Sequence, residues 1–233
     1  MQFASQNVAQ RGPFEITPGR QISNHLHVFD SPKAGRRIMV ESALEAAAFL
    51  LFEGNPDVSQ ITEQPLRIPV SKTGSCHTTL DLGTQHLDGT EKFYEIKHVG
   101  HLVENSAGEL APPNWDRIQA WALEHGWNID FISSDDLAKA KYKIHNWRCL
   151  LPFVWFYKNS PDPELSFEIY QKIAQSDGLT IQEVTQLTAQ SASVSVPYVV
   201  ADLLHRGKFT ANLDKAVFST NTPVRLAGED NAD

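Results

Sequence analysis

The chain has 233 residues, of which 41% are hydrophobic and 21% charged, enough for one large domain or two small ones with a sizeable core. No stretch approaches the roughly 18 apolar residues of a membrane span, Met1 to Arg20 lacks the apolar run of a secretory signal, and two cysteines, Cys76 and Cys149, are too few for a disulfide framework or a Cys-x-x-Cys zinc site. A reducing, cytoplasmic setting without a membrane partner is expected. The net charge of -8 argues against a protein whose own field holds nucleic acid, and neither part reverses this: residues 1–160 are net -3 and residues 161–233 are net -5.

In chain order, residues 1–37 read as a polar, irregular arm broken by Gly12-Pro13, Pro18-Gly19 and Pro32. Lys33, Arg36 and Arg37 in it are either a phosphate contact or a solvated lead into the next domain. Ser42 to Glu53 reads as a helix, opened by the capping-box pattern Ser42-x-x-Glu45 and closed by Gly54. Strands follow over Val58 to Val70, broken at Pro65. Two more run from Thr78 to Gln85 and from Lys92 to Val99, joined by the turn Asp88-Gly89. Pro112 to His125 reads as a helix with Ile118, Trp121 and Leu123 inward, Trp127 to Ile132 as a strand, Asp135 to Lys143 as a helix, and Asn146 to Tyr157 as a buried aromatic segment. The order predicts an α/β domain with a mixed sheet over residues 38–158.

After the linker Asn159 to Pro163, helices are predicted over Leu165 to Gln175, from Thr180 (a second capping box, with Glu183) to Ala189, and from Pro197 to Gly207, with a β-wing over Lys208 to Asp214. That is the winged-helix order, assigned to residues 159–226. An acidic, disordered tail is expected over 227–233.

The chemistry concentrates on Asp81, Glu95 and Lys97. The hairpin returns Glu95-Ile96-Lys97 alongside the strand of Asp81, and period-two alternation puts Glu95 and Lys97 on one face. Two carboxylates and a lysine in that arrangement suit hard oxygen-loving cations such as Mg2+, with Mn2+ as a substitute. They also suit phosphodiester hydrolysis, the lysine orienting water or offsetting charge that develops on phosphate. The same Glu-x-Lys on a solvated strand face has no function. Glu45 reads as the capping glutamate of its own helix, and Glu41 is the rival carboxylate nearby. His25-x-His27 has no matching third ligand. His77 beside Cys76, and His98 and His101 after the strand, read as structural. Gln64 is either a support of the site or a turn residue.

The wider pattern resembles the TnsA family, the endonuclease subunits of heteromeric cut-and-paste transposases. Ser42-x-Leu44-Glu45, Asn55-Pro56-x-Val58 and Glu63-Gln64-Pro65 carry the likeness. Asp81, Glu95-x-Lys97, Gly126-Trp127, Phe131-Ile132-Ser133-Ser134 and Asn146 follow in the family's order. Leu80 stands where restriction-endonuclease-like sites usually have a proline. The resemblance implies a restriction-endonuclease-like fold with a small winged-helix-like C-terminal domain. It gives Glu45, Asp81, Glu95 and Lys97 catalytic roles, with Glu45, Asp81 and Glu95 as Mg2+ ligands. It further implies cutting of the 5′, non-transferred strands at transposon-end DNA. A TnsB-type transposase would be the partner, with a TnsC-type ATPase regulator contacted through the C-terminal region. Two readings from other classes remain: a stand-alone restriction or repair nuclease, and a non-catalytic winged-helix adaptor.

Overall fold

The computed structural model describes residues 26–71, 76–189 and 192–228; His25, most of the expected N-terminal arm and residues 229–233 of the expected tail lie outside the described residues. The chain forms two compact units. Of the described residues, the first takes 26–29, 37–52 and those within 58–139; the second takes 30–36, 53–57 and those from 140 to 228.

Part of the arm expected to be irregular is a hairpin, β1 (His27–Ser31) against β2 (Arg36–Val40). Gly35 at φ 69° closes its turn, and apolar residues tie it down: Ile38 is fully buried and Phe29 meets Phe49 edge-on at 6.1 Å. Helix α1 (Ala43–Glu53) follows, free of β-branched residues and capped by Ser42, whose Oγ accepts from the Glu45 N–H at 3.1 Å. Its buried face carries Ala46, Ala48, Phe49 and Leu50, and Phe52 packs on Tyr94 at 4.8 Å.

The remaining elements of the first unit are β3 (Val58–Glu63), β4 (Arg67–Pro69), β5 (His77–Thr79), β6 (Leu82–His86), β7 (Glu91–Lys97), β8 (Val103–Glu104), β9 (Leu110–Ala111), α2 (Trp115–His125), β10 (Ile129–Ser133) and α3 (Ser134–Lys139). Four of the strands make a mixed sheet in the order β10-β7-β6-β3, with β10 parallel to β7 and the other pairs antiparallel. The β6–β7 turn is the expected one, with Gly89 at φ 86°. On α2 the buried residues Trp115, Ile118 and Ala122 keep a helical spacing, while Leu123, expected inside, is 86% exposed because it falls off that stripe.

The stretch from Thr78 to Gln85, expected as one strand, breaks at Leu80–Asp81. The break faces the one at Gln64–Pro65, so a long antiparallel pair bends as a unit: β3 pairs with β6 on one side and β4 with β5 on the other. Across the bend the Gln64 N–H donates to the Asp81 carbonyl at 3.1 Å, and the Leu80 N–H to the Leu66 carbonyl at 2.9 Å. Gln64 sits at φ 48°, the left-handed region that L side chains rarely adopt. Pro65 lies against Gly83, where a Cβ would stand 3.0 Å from the proline ring.

The second unit contains α4 (Lys141–Asn159), α5 (Pro163–Ala174), β11 (Leu179–Thr180), α6 (Ile181–Leu187), α7 (Val196–His205), β12 (Phe209–Ala211) and β13 (Pro223–Leu226), with the strands in the order β11-β13-β12. The division between units falls near residue 140, whereas the sequence placed it at 158. The cause is α4, whose buried Trp147, Leu150, Val154 and Tyr157 share one core with α5, α6 and α7. The capping box at Thr180 and Glu183 forms in full, with both backbone N–H groups satisfied. Asn146 is a structural latch: its amide donates to the carbonyls of Leu213 and Ala216 and its oxygen accepts from the Phe218 N–H.

Glu53 is fully buried in this unit. Its carboxylate accepts from Ser31 Oγ at 2.6 Å and from the Lys33 N–H at 3.0 Å, and His205 Nε2 lies 3.2 Å away. Gly54, expected to close the helix, has a further task. A Cβ there would lie about 2 Å from the indole of Trp147, so only glycine lets the buried ring approach.

Candidate functional site

The four candidate residues of the sequence come together within the first unit. Asp81 stands at the bend between β5 and β6. Its N–H donates to the Tyr94 carbonyl at 2.9 Å, and its Oδ2 accepts from the Ile96 N–H at 2.7 Å, so backbone bonds fix both ends of the residue against β7. Glu95 and Lys97 share a face of β7, as alternation predicts: Lys97 Nζ is 2.6 Å from Glu95 Oε1. Glu95 is 4% exposed and its Oε2 is buried with no hydrogen-bond partner. Glu45 reaches the group from the first turn of α1. It also accepts from Ser42 Oγ at 2.8 Å, so the capping and site positions coincide.

The electrostatics show how close the groups are. Burial, then the charge of Glu95, pushes the Asp81 carboxyl up to about 8 against the pull of Lys97 and the Ile96 N–H, and Glu45 adds to the rise. Glu95 is raised by burial despite Lys97. Glu45 is raised by burial, with Ser42 opposing and Lys97 within electrostatic reach. Lys97 is raised because Glu95, Asp81 and Glu45 together outweigh its desolvation. Three carboxyls around one ammonium are thus held toward their neutral form, first by burial and then by one another's charge, a state that a bound cation reverses.

Among the described residues, no three His, Cys, Asp or Glu side chains are grouped to hold a metal as they stand. Lys97 occupies one oxygen of Glu95. The other, orphaned and buried, is a free oxygen donor beside further carboxylates, which suits a hard divalent cation.

Other candidates are elsewhere. His98 caps the start of a short 3-10 turn, its Nδ1 accepting from the Gly100 N–H at 3.0 Å, with the His101 ring 5.9 Å away. Cys76 is exposed and His77 lies on β5. Glu41 has partners of its own. Gln64, a site support or turn residue from the sequence, lies in the bend with a left-handed backbone that has no signature in residue type, and the buried Glu63 one residue before it, at 2% exposure, is a carboxylate for which the sequence suggests no role of its own. Compared with models of known protein families the chain matches none, and no curated protein matches it.

Proposed function

We propose that the chain is a metal-dependent DNA endonuclease subunit of TnsA type, cutting the 5′ strands at transposon ends beside a TnsB-type transposase. The observation that carries this reading is the convergence of Glu45, Asp81 and Glu95 on Lys97, with a buried carboxylate oxygen left over. The order α1–β3–β6–β7–α2–β10 around the four-stranded sheet supports a restriction-endonuclease-like core. In such a core the site lies where β7 and the bent β5–β6 strand meet.

In this reading Asp81, Glu95 and Glu45 hold Mg2+, or Mn2+ in its place. A bound magnesium ion supplies a lower pKa to an attacking water and a counter-charge to the phosphate. Asp81, aimed by the Ile96 N–H, would hold the ion as the carboxylate, its proton passing to solvent. Lys97, once drawn off Glu95, keeps its ammonium form and stabilises charge on the phosphate oxygens.

Helix α7, in the recognition position of the winged-helix-like order, argues against the adaptor reading. Val196, Val199, Val200, Ala201, Leu203 and Leu204 are all buried in the core of their own unit, so the helix has little left to enter a groove. With a net charge of -8, delivery by a partner fits better than independent DNA binding, and a TnsC-type regulator is the further partner expected.

The test is a strand-resolved assay on transposon-end duplex with Mg2+, with and without the partner transposase. Cuts in the 5′ strands only when the partner is present are expected. Efficient cutting by the chain alone would instead favour the restriction-type reading, and no 5′ cuts in any mixture would reject both.

A further inference from the structure

We infer that the second unit carries a docking cleft for an acidic peptide segment with an aromatic or large apolar anchor, supplied by a protein partner. The cleft encloses about 550 Å3 between the end of α4, the start of α5 and the end of α7. Lys158, Arg206 and Lys208 line it together with Phe167, Tyr170 and Pro163.

Charge is the first argument. Arg206 and Lys208 line this cleft, and Lys158 joins them from α4. Asp202 is the acidic residue in the lining, and it is committed to Arg206 at 2.6 Å. Lys158 donates to the Pro32 carbonyl, which pins its ammonium in place. The cleft thus holds three cations against one paired carboxylate, and an acidic segment is attracted to it.

The second argument is the apolar wall. Phe167 is 66% exposed at the cleft while its helix neighbours Leu165 and Ile169 are buried, so α5 turns a large aromatic ring outward beside Tyr170. An open cleft with an aromatic wall and cations around it suits side-chain anchoring of an extended peptide, flanked by charge-assisted hydrogen bonds. Three cations are few for a nucleic acid, whose affinity grows with the number of phosphates neutralised. The inference is independent of the nuclease reading, because nothing in it depends on the carboxylates of the first unit.

The experiment uses the full chain and fluorescence anisotropy of short labelled peptides: one of Asp, Glu and Ser with a single central Phe, one with that Phe replaced by Ser, one with the acids replaced by Lys, and an oligothymidylate of equal length. The acidic Phe peptide is expected to saturate in the micromolar range. Higher salt, Lys208→Glu and Phe167→Ser should each weaken it about tenfold, the loss of roughly one well-placed contact. Both substituted residues are exposed, so the variants should keep the parent melting temperature. Failure of the acidic Phe peptide to saturate below millimolar, equal binding of the Lys peptide, indifference to Lys208→Glu, or tighter binding of the oligothymidylate would each overturn the assignment.

Discussion

At the scale of the residue, Asp81 couples the site to the stability of the fold. In the unfolded chain it titrates near 3.8, and in the folded one near 8. Between those values the folded state holds a proton that the unfolded state has lost, so stability falls as pH rises through that window. Glu95 and Glu45, also raised, push the same way; Lys97, raised, adds stability that is present below 10.5 and is lost as pH climbs past it. In chelator, the melting temperature should therefore decline from about pH 4 to about pH 8. Asp81→Asn, which still accepts from the Ile96 N–H, should flatten that decline. Added Mg2+ should raise the melting point of the parent near pH 8 and leave Asp81→Asn unmoved. A parent protein with a flat profile would contradict the raised carboxyls. Glu45→Gln separates the two duties of its position. The amide oxygen still accepts from Ser42 Oγ, so the melting temperature should hold, whereas strand cleavage should fall about a hundredfold or more if the carboxylate serves the site.

At the scale of the element, the bend between β3–β4 and β5–β6 is what presents Asp81. Gln64 holds it in a left-handed conformation that costs roughly 1 kcal/mol in most residues other than glycine, asparagine and aspartate. Gln64→Gly should gain about that much in a denaturant titration. Gln64→Val, β-branched and ill-suited to positive φ, should lose about 2 kcal/mol and weaken Mn2+ binding, and recovery of that binding in Gln64→Gly would show that the backbone is what matters. This bend is also where sequence reading stopped. Glu95 and Lys97 were legible because the Asp88-Gly89 turn and period-two alternation fix the register. Pro65 announced a break in one strand, but no residue type announced the answering break at Asp81. Short strands such as β11 and β13 are defined by partners rather than by pattern. Gly54 looks like a helix cap in the sequence, since the ring that needs its missing Cβ lies 93 residues further on, at Trp147. Gly54→Ala should destabilise the fold by about 1–3 kcal/mol, measured by the same titration, because the indole must leave a filled core.

At the scale of the whole molecule, the two units interleave along the chain, since 30–36 and 53–57 belong with the described residues from 140 to 228. The sequence suggested a clean linker at 159–163, and nothing local to α4 betrays that its apolar face is built for α5 and α7. Deleting residues 161–233 would strip that face, with Trp147, Leu150 and Val154, and remove His205 from the buried Glu53. The shortened chain should therefore aggregate or lose its cooperative melt, and a sharp melt of the fragment would contradict this division. No helix among the described residues is long and apolar enough to cross a membrane. The central claim, that Glu45, Asp81 and Glu95 form with Lys97 the centre that cuts the 5′ strands, is tested most directly by one comparison. Parent and Asp81→Asn proteins are each mixed with the partner transposase, Mg2+ and transposon-end duplex, and the two strands are followed separately. Cuts in the 5′ strands should vanish with Asp81→Asn while the partner's 3′ cuts persist; 5′ cuts at the parent rate in that variant would contradict the claim.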